Sequence, residues 1–146
     1  MKLFDTSVII DARDSESGWH EWARQQIAEA GSTEGAALNT VALAEASVRV
    51  EQREKLQQHF EEMGLTLIPL PVAAALPAAR AFAVYLDRLK AQGKTRDSKM
   101  PLGDFFIGAH AEAENLTVVT RDPDRIKTYF PRVKLIIPPK ALSEET

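Results

Sequence analysis

Four acids of this 146-residue chain stand where a carboxylate can do more than meet solvent. Asp5 follows the apolar pair Leu3-Phe4. Asp122 stands two residues past Thr120, where the run Leu116-Thr117-Val118-Val119-Thr120 ends. Asp104 opens a segment in which Phe105, Phe106, Ala109 and Ala113 recur at helical spacing. Glu45 lies one turn into a helical segment that follows the short run Ala36-Ala37-Leu38. Carboxylates that converge repel one another and resist desolvation. A hard divalent cation with oxygen ligands, Mg²⁺ or Mn²⁺, relieves both problems. Such an ion lowers the pKa of a bound water and holds a phosphate oxygen, the equipment for in-line hydrolysis of a phosphodiester. Each acid also has a structural alternative. Asp5, Thr6 or Ser7 can cap a helix, and Asp122 can cap one that starts at Pro123. Asp104 can complement the positive end of its helix, and Glu45 can be a solvated helical glutamate.

Convergence depends on the elements that carry these acids. Leu3-Phe4 reads as a buried strand that gives way to a helix containing Val8, Ile9 and Ile10. Residues 16–30 read as a helix with Trp19, Trp22, Ala23, Ile27 and Ala30 inward, capped by Asp14, Ser15 or Ser17 and stopped by Gly31. Asn39-Thr40 signals the start of the helix carrying Glu45, whose Leu43, Ala46, Ser47 and Val50 share a face. A polar helix over 52–63 ends at Gly64, and 65–70 reads as a strand. The longest helical pattern, 72–92, has Ala75, Ala79, Phe82, Leu86 and Leu89 on one stripe, with Pro77 marking a kink or start. Residues 102–114 form a helix closed by Asn115, and Gly108 within it lowers helix stability unless close packing requires it. Residues 116–120 are a strand, Asp122-Pro123 opens a short helix, and 133–137 are a last strand. Alternation of short strands with helices predicts an α/β domain with a mainly parallel sheet. In such a sheet every strand-to-helix junction falls on one edge, so the four acids can meet there.

Composition bounds the reading. Apolar residues make up 45 % and charged residues 27 %, with a net charge of −3, as in an ordinary globular protein. The absence of cysteine excludes disulfides, thiolate metal sites and thiol catalysis. No leader pattern and no apolar run of membrane-span length is visible, so no membrane is expected and the cytoplasm is the default location. Residues 87–99 and 121–134 each carry a local +3, leaving −9 elsewhere. These stretches either steer a phosphate backbone or are solvated faces. Arg96, Lys99, Arg121 and Arg125 are the candidate phosphate contacts. His20, His59 and His110 are not expected to take part in catalysis. His110, six residues after Asp104, points to another face of that helix.

The stretches Leu3-Phe4-Asp5-Thr6-Ser7-Val8-Ile9-Ile10-Asp11, 39–47 (NTVALAEAS), 101–112 (PLGDFFIGAHAE) and 117–126 (TVVTRDPDRI) resemble the PIN domain, specifically the VapC-type toxin ribonucleases. That family's pattern is an aspartate ending the first strand, a glutamate in the helix after the second, an acid opening a later helix, and Thr-x-Asp after the fourth strand. All are present in order, and 128–138 (TYFPRVKLIIP) resembles one PIN subgroup. The resemblance implies a three-layer α/β/α sandwich over residues 1–139, followed by a tail at 140–146. It implies Mg²⁺- or Mn²⁺-dependent cleavage of RNA, leaving 5′-phosphate and 3′-hydroxyl ends. Asp5, Glu45, Asp104 and Asp122 match the catalytic acids, with Asp5 and Asp104 as the principal metal ligands. Glu45 would orient or deprotonate the attacking water or complete the metal shell through water. Asp122 would hold a second ion or tune the first, although Asp124 is a neighbouring alternative, and Thr6 and Thr120 would support them. The implied partners are RNA, a small antitoxin protein and a second copy in a homodimer. A PIN nuclease for RNA maturation and a non-catalytic PIN-fold interaction module are the alternative functions. Two other phosphoryl-transfer families fit less well. Asp5-Thr6-Ser7 lacks the Asp-x-Asp of haloacid-dehalogenase-like phosphatases, and the acidic pair and late strand-end lysine of receiver domains are missing.

Overall fold

The structure, a computed structural model, describes residues 1–94 and 102–139. Its strands are β1 (Lys2–Phe4), β2 (Ala36–Asn39), β3 (Leu65–Ile68), β4 (Thr117–Val119) and β5 (Leu135–Ile136). Its helices are α1 (Thr6–Arg13), α2 (His20–Ser32), α3 (Thr40–Ser47), α4 (Arg53–Glu62), α5 (Val72–Ala91), α6 (Gly103–Glu114) and α7 (Pro123–Tyr129). The strands pair in the order β3-β2-β1-β4-β5, and every pairing is parallel. Helices flank the sheet in the expected α/β/α arrangement. Leu3, Phe4, Ala37, Leu38, Val118 and Val119 are fully buried, as required of a parallel sheet covered on both faces.

Strand order decides where a site can form. The chain moves from β1 outward to β2 and β3, then crosses back to β4 and β5 on the other side. The reversal lies between β1 and β4, and ligands of open α/β sheets bind beyond the carboxyl ends of strands at such a point. Backbone bonds close that seam: Asp5 N–H donates to Val119 C=O at 3.0 Å. The helices fall into two packed groups, α1 with α2 and α3, and α5 with α6 and α7; α3 also meets α6. Phe82, Tyr85, Phe105 and Tyr129 form an aromatic cluster with neighbouring ring centroids 5.1–6.4 Å apart. It locks α5, α6 and α7 together and so fixes the start of α6.

Several local expectations change. Helix α2 starts at His20 and not at residue 16, because Asp14 and Ser17 accept backbone N–H bonds from Glu16 and Trp19 and hold the chain in turns. It also runs through Gly31 to Ser32. In α5 the buried residues are Ala74, Ala78, Ala81 and Tyr85; of the expected stripe, Phe82 and Leu89 pack partly buried against the core, whereas Ala75, Ala79 and Leu86 are exposed. Helix α5 starts before Pro77, which lies inside it. The aromatic Tyr85 outweighs several alanines in choosing the buried face. Ala113 of α6 is exposed, whereas His110 is fully buried. Gly108 has its packing reason, since a Cβ there would lie 2.3 Å from Phe130 Cδ2. Asn115 closes α6 in the left-handed conformation at φ 54°. Residues 140–146, expected as a tail, lie outside the described residues.

Candidate metal and nucleic-acid site

Asp5 occupies the N-cap position of α1, yet its side chain makes no capping bond. Its carboxylate turns across the seam and accepts from Thr120 Oγ1 at 2.7 Å and from Ser7 Oγ at 3.4 Å. Thr120 Oγ1 in turn accepts from Asp122 N–H at 3.0 Å. One hydroxyl thus ties the end of β1 to the loop after β4. Asp122 is the N-cap residue of α7 with Pro123 at N1, again without a side-chain cap bond. Asp104 stands in the first turn of α6. Capping therefore accounts for neither Asp5 nor Asp122.

Asp5, Asp104 and Asp122 line one small cavity, together with Arg125 and the apolar floor Ile107 and Ile126. Its volume is about 20 Å³, enough for one water or a particle of that size. Of the two neighbouring acids after β4, Asp122 lines the cavity and Asp124 does not. Glu45 stands on the adjoining shelf. It is half-buried, accepts from Thr6 Oγ1 at 3.1 Å, and lines a neighbouring groove with Thr40, Leu102, Gly103 and Phe106. Thr6 and Thr120 therefore each hold one acid of the set.

The electrostatics are those of crowded carboxylates. Burial pushes Asp5 from the usual 3.8 up to about 6; the Thr120 hydrogen bond opposes this, and Asp104 and Asp122 add to it. Burial also raises Glu45, where Thr6 counteracts and Asp104 and Asp5 reinforce the shift. Asp104 is raised by burial too, and Arg125 draws it back. Arg125 forms an ion pair with Asp104, so a guanidinium provides the cavity's cation. Among the described residues no three acids are already closed to the spacing of a shared ion. The donor set is nevertheless all oxygen, negative and short of cations, the chemistry that suits Mg²⁺ or Mn²⁺.

Of the candidate phosphate contacts, Arg125 lies in the cavity wall. Arg121 is engaged elsewhere: its Nε faces Asp11 Oδ2 at 2.7 Å, and its guanidinium lies 4.2 Å from the Trp19 ring centre. Arg96 and Lys99 lie outside the described residues. Two participants were not singled out from the sequence. Asn39 caps α3 by accepting from Ala42 N–H at 2.8 Å, while its amide donates to His110 Nδ1 at 3.2 Å. That leaves the proton on His110 Nε2, which donates to Glu114 Oε2 at 3.2 Å. The buried pair pins α3, bearer of Glu45, to α6, bearer of Asp104. The capping signal at Asn39 was legible, but its second bond to a residue far along the chain was not.

The PIN domain family matches residues 2–131, while no curated protein matches significantly. Solved structures of similar fold include VapBC2 from Rickettsia felis bound to a DNA fragment from their promoter. That pair shares 17 % identity at a TM-score of 0.65, covering 93 % of this chain and 97 % of the other. FitAcB from Neisseria gonorrhoeae shares 21 % identity at a TM-score of 0.59, covering 93 % and 96 %. A toxin-antitoxin complex from Klebsiella pneumoniae shares 19 % at 0.58, covering 86 % and 89 %. With the family match spanning nearly all of the sheet and every acid of the site, the chain belongs to the PIN domain family.

Proposed function

We propose that this protein is a Mg²⁺- or Mn²⁺-dependent endoribonuclease, acting as the toxin of a toxin–antitoxin pair. The observation that carries the reading is the cavity at the β1/β4 switch point, lined by Asp5, Asp104 and Asp122 with Glu45 beside it. PIN domains are typically nucleases, and the similar structures are described as toxin-antitoxin or VapBC and FitAB assemblies. In this reading Asp5, Asp104 and Asp122 hold the cation. When bound, it supplies Lewis-acid stabilisation of the phosphate and acidifies a water. Thr120 orients Asp5 toward the cavity, and Thr6 orients Glu45, which accepts the proton of the attacking water. Arg125, at the cavity wall, serves a backbone phosphate, and Arg96 and Lys99 are the further proposed phosphate contacts, whereas Arg121 is held by Asp11 and Trp19.

An antitoxin partner and homodimerisation belong to the same reading. The exposed apolar side chains of α5, with Val72 at 91 % and Leu76 at 70 % accessibility, support a covering partner. No helix among the described residues is long and apolar enough to cross a membrane. The test is cleavage of total RNA with Mn²⁺ by wild type and Asp5→Asn. Cleavage by wild type alone supports the reading. Equal behaviour of the two proteins overturns it. Co-purification of a small protein encoded beside this one would identify the antitoxin.

A further inference from the structure

Gly103 opens α6 where that helix meets α3. A Cβ built at this position would lie 2.5 Å from Glu45 Oε1, 2.7 Å from Cδ and 2.8 Å from Oε2. The whole carboxylate group therefore lies against the bare Cα. The backbone does not ask for glycine here: only Gly35, Gly64 and Gly93 have positive φ among the described glycines. Glycine at a helical position is also less favourable than alanine. What glycine supplies is room. On its other side Glu45 accepts from Thr6 Oγ1 at 3.1 Å, so the carboxylate is held between a hydroxyl and a missing side chain. The first turn of α6 also presents the positive end of the helix dipole, which favours a carboxylate there.

We propose that Gly103 is a positioning residue: its missing side chain is the seat that sets where the Glu45 carboxylate stands relative to Asp5 and Asp104. The inference rests on the nuclease reading for its consequence, but the seat itself can be tested without activity. A methyl at 103 meets the far end of a flexible side chain, so Glu45 rotates away and the fold survives. Gly103→Ala is expected to lower kcat on RNA with Mn²⁺ by about 10- to 100-fold, with KM within about threefold of wild type. Glu45→Asp, one methylene shorter, withdraws the carboxylate from the added methyl. The double variant Gly103→Ala/Glu45→Asp is therefore expected to be more active than Gly103→Ala. Thermal denaturation supplies the second arm. Gly103→Ala raises Tm in a Glu45→Ala background, through helix propensity, and raises it less or lowers it when Glu45 is present. Equal shifts in the two backgrounds overturn the seat. Unchanged kcat in Gly103→Ala, or rate losses that multiply in the double variant, overturn the positioning role. A wild-type protein that cuts no RNA overturns the nuclease reading, and the thermal comparison still decides whether the seat exists.

Discussion

Two little-exposed acids at α1, Asp5 at its N-cap and Asp11 within it, are treated in opposite ways. Asp11, 5 % exposed, has its own cation: Arg121 Nε stands 2.7 Å away, and Ser17 Oγ donates at 2.9 Å. Asp5, 8 % exposed, has a hydroxyl from Thr120; across the cavity stand the acids Asp104 and Asp122, and the Arg125 that lines the same cavity pairs with Asp104. Burial raises both carboxyls, and at Asp11 the Ser17 bond and Arg121 oppose the rise. A buried charge normally has a partner. Where the fold supplies one, the acid is structural; where it supplies more acids instead, the proposed function has a cation from outside complete the site. The Asn39–His110–Glu114 chain makes the same point through hydrogen bonds, since the Asn39 amide and both His110 ring nitrogens are matched.

The widest separation between the two acids is expected in catalysis. Asp5→Asn should lower RNA cleavage by about 100- to 1,000-fold, the order lost when a group stabilising the transition state is removed. Asp11→Asn should change it by less than about tenfold and lower stability by about 1–2 kcal/mol, because Arg121 then faces a neutral amide. Initial rates and denaturant melts of the two variants check this, and similar rate losses would erase the distinction.

The pH dependence of stability comes next. Asp5, at 3.8 unperturbed, is held at about 6 in the fold. Below about pH 4 it is protonated in folded and unfolded chains alike and costs nothing. Between these values only the unfolded chain ionises, so stability falls as pH rises, and above the folded value the whole penalty stands. Two units correspond to about 3 kcal/mol. Urea melts from pH 4 to 8 should show this fall in wild type and a smaller one in Asp5→Asn. Mg²⁺ should recover stability above pH 6 in wild type alone. A wild type that gains stability across that window relative to Asp5→Asn would contradict the crowded-acid account.

Smaller effects sharpen the scaffold side of the contrast. Gly108→Ala forces a methyl against the buried Phe130 ring and should destabilise by about 1–3 kcal/mol. Asn39→Ala removes the α3 cap and strands His110 Nδ1, at about 1–2 kcal/mol. Melting temperatures measure both. Unchanged values would mean that neither contact constrains α6.

The acids at element junctions were legible in the sequence because strand-to-helix alternation forces such junctions onto one sheet edge. Asp5 and Asp122 needed only that rule; Asp104 did not follow from it, because α6 comes after α5 and not after a strand. The parallel sheet was legible for the same reason. Helix faces were less so. Alanine-rich α5 offers several nearly equivalent stripes, and the aromatic cluster at Tyr85 picks one that periodicity alone does not favour. The start of α2 was hidden because Asp14 and Ser17 serve turns and caps equally well. The duties of Gly103 and Gly108 are contacts with Glu45 and Phe130, which no local pattern records. The engagement of Arg121 by Asp11 and Trp19 is likewise tertiary, so a basic stretch alone could not separate a structural arginine from a substrate-facing one.

Titration of Mn²⁺ into metal-free wild type, Asp5→Asn and Asp11→Asn at about pH 8, above the value of about 6 for Asp5, tests the central claim most directly. Wild type and Asp11→Asn should bind the ion, with affinity at least about 100-fold weaker in Asp5→Asn, a loss of about 2.7 kcal/mol. Equal affinity in all three proteins, or no binding by wild type, would contradict it.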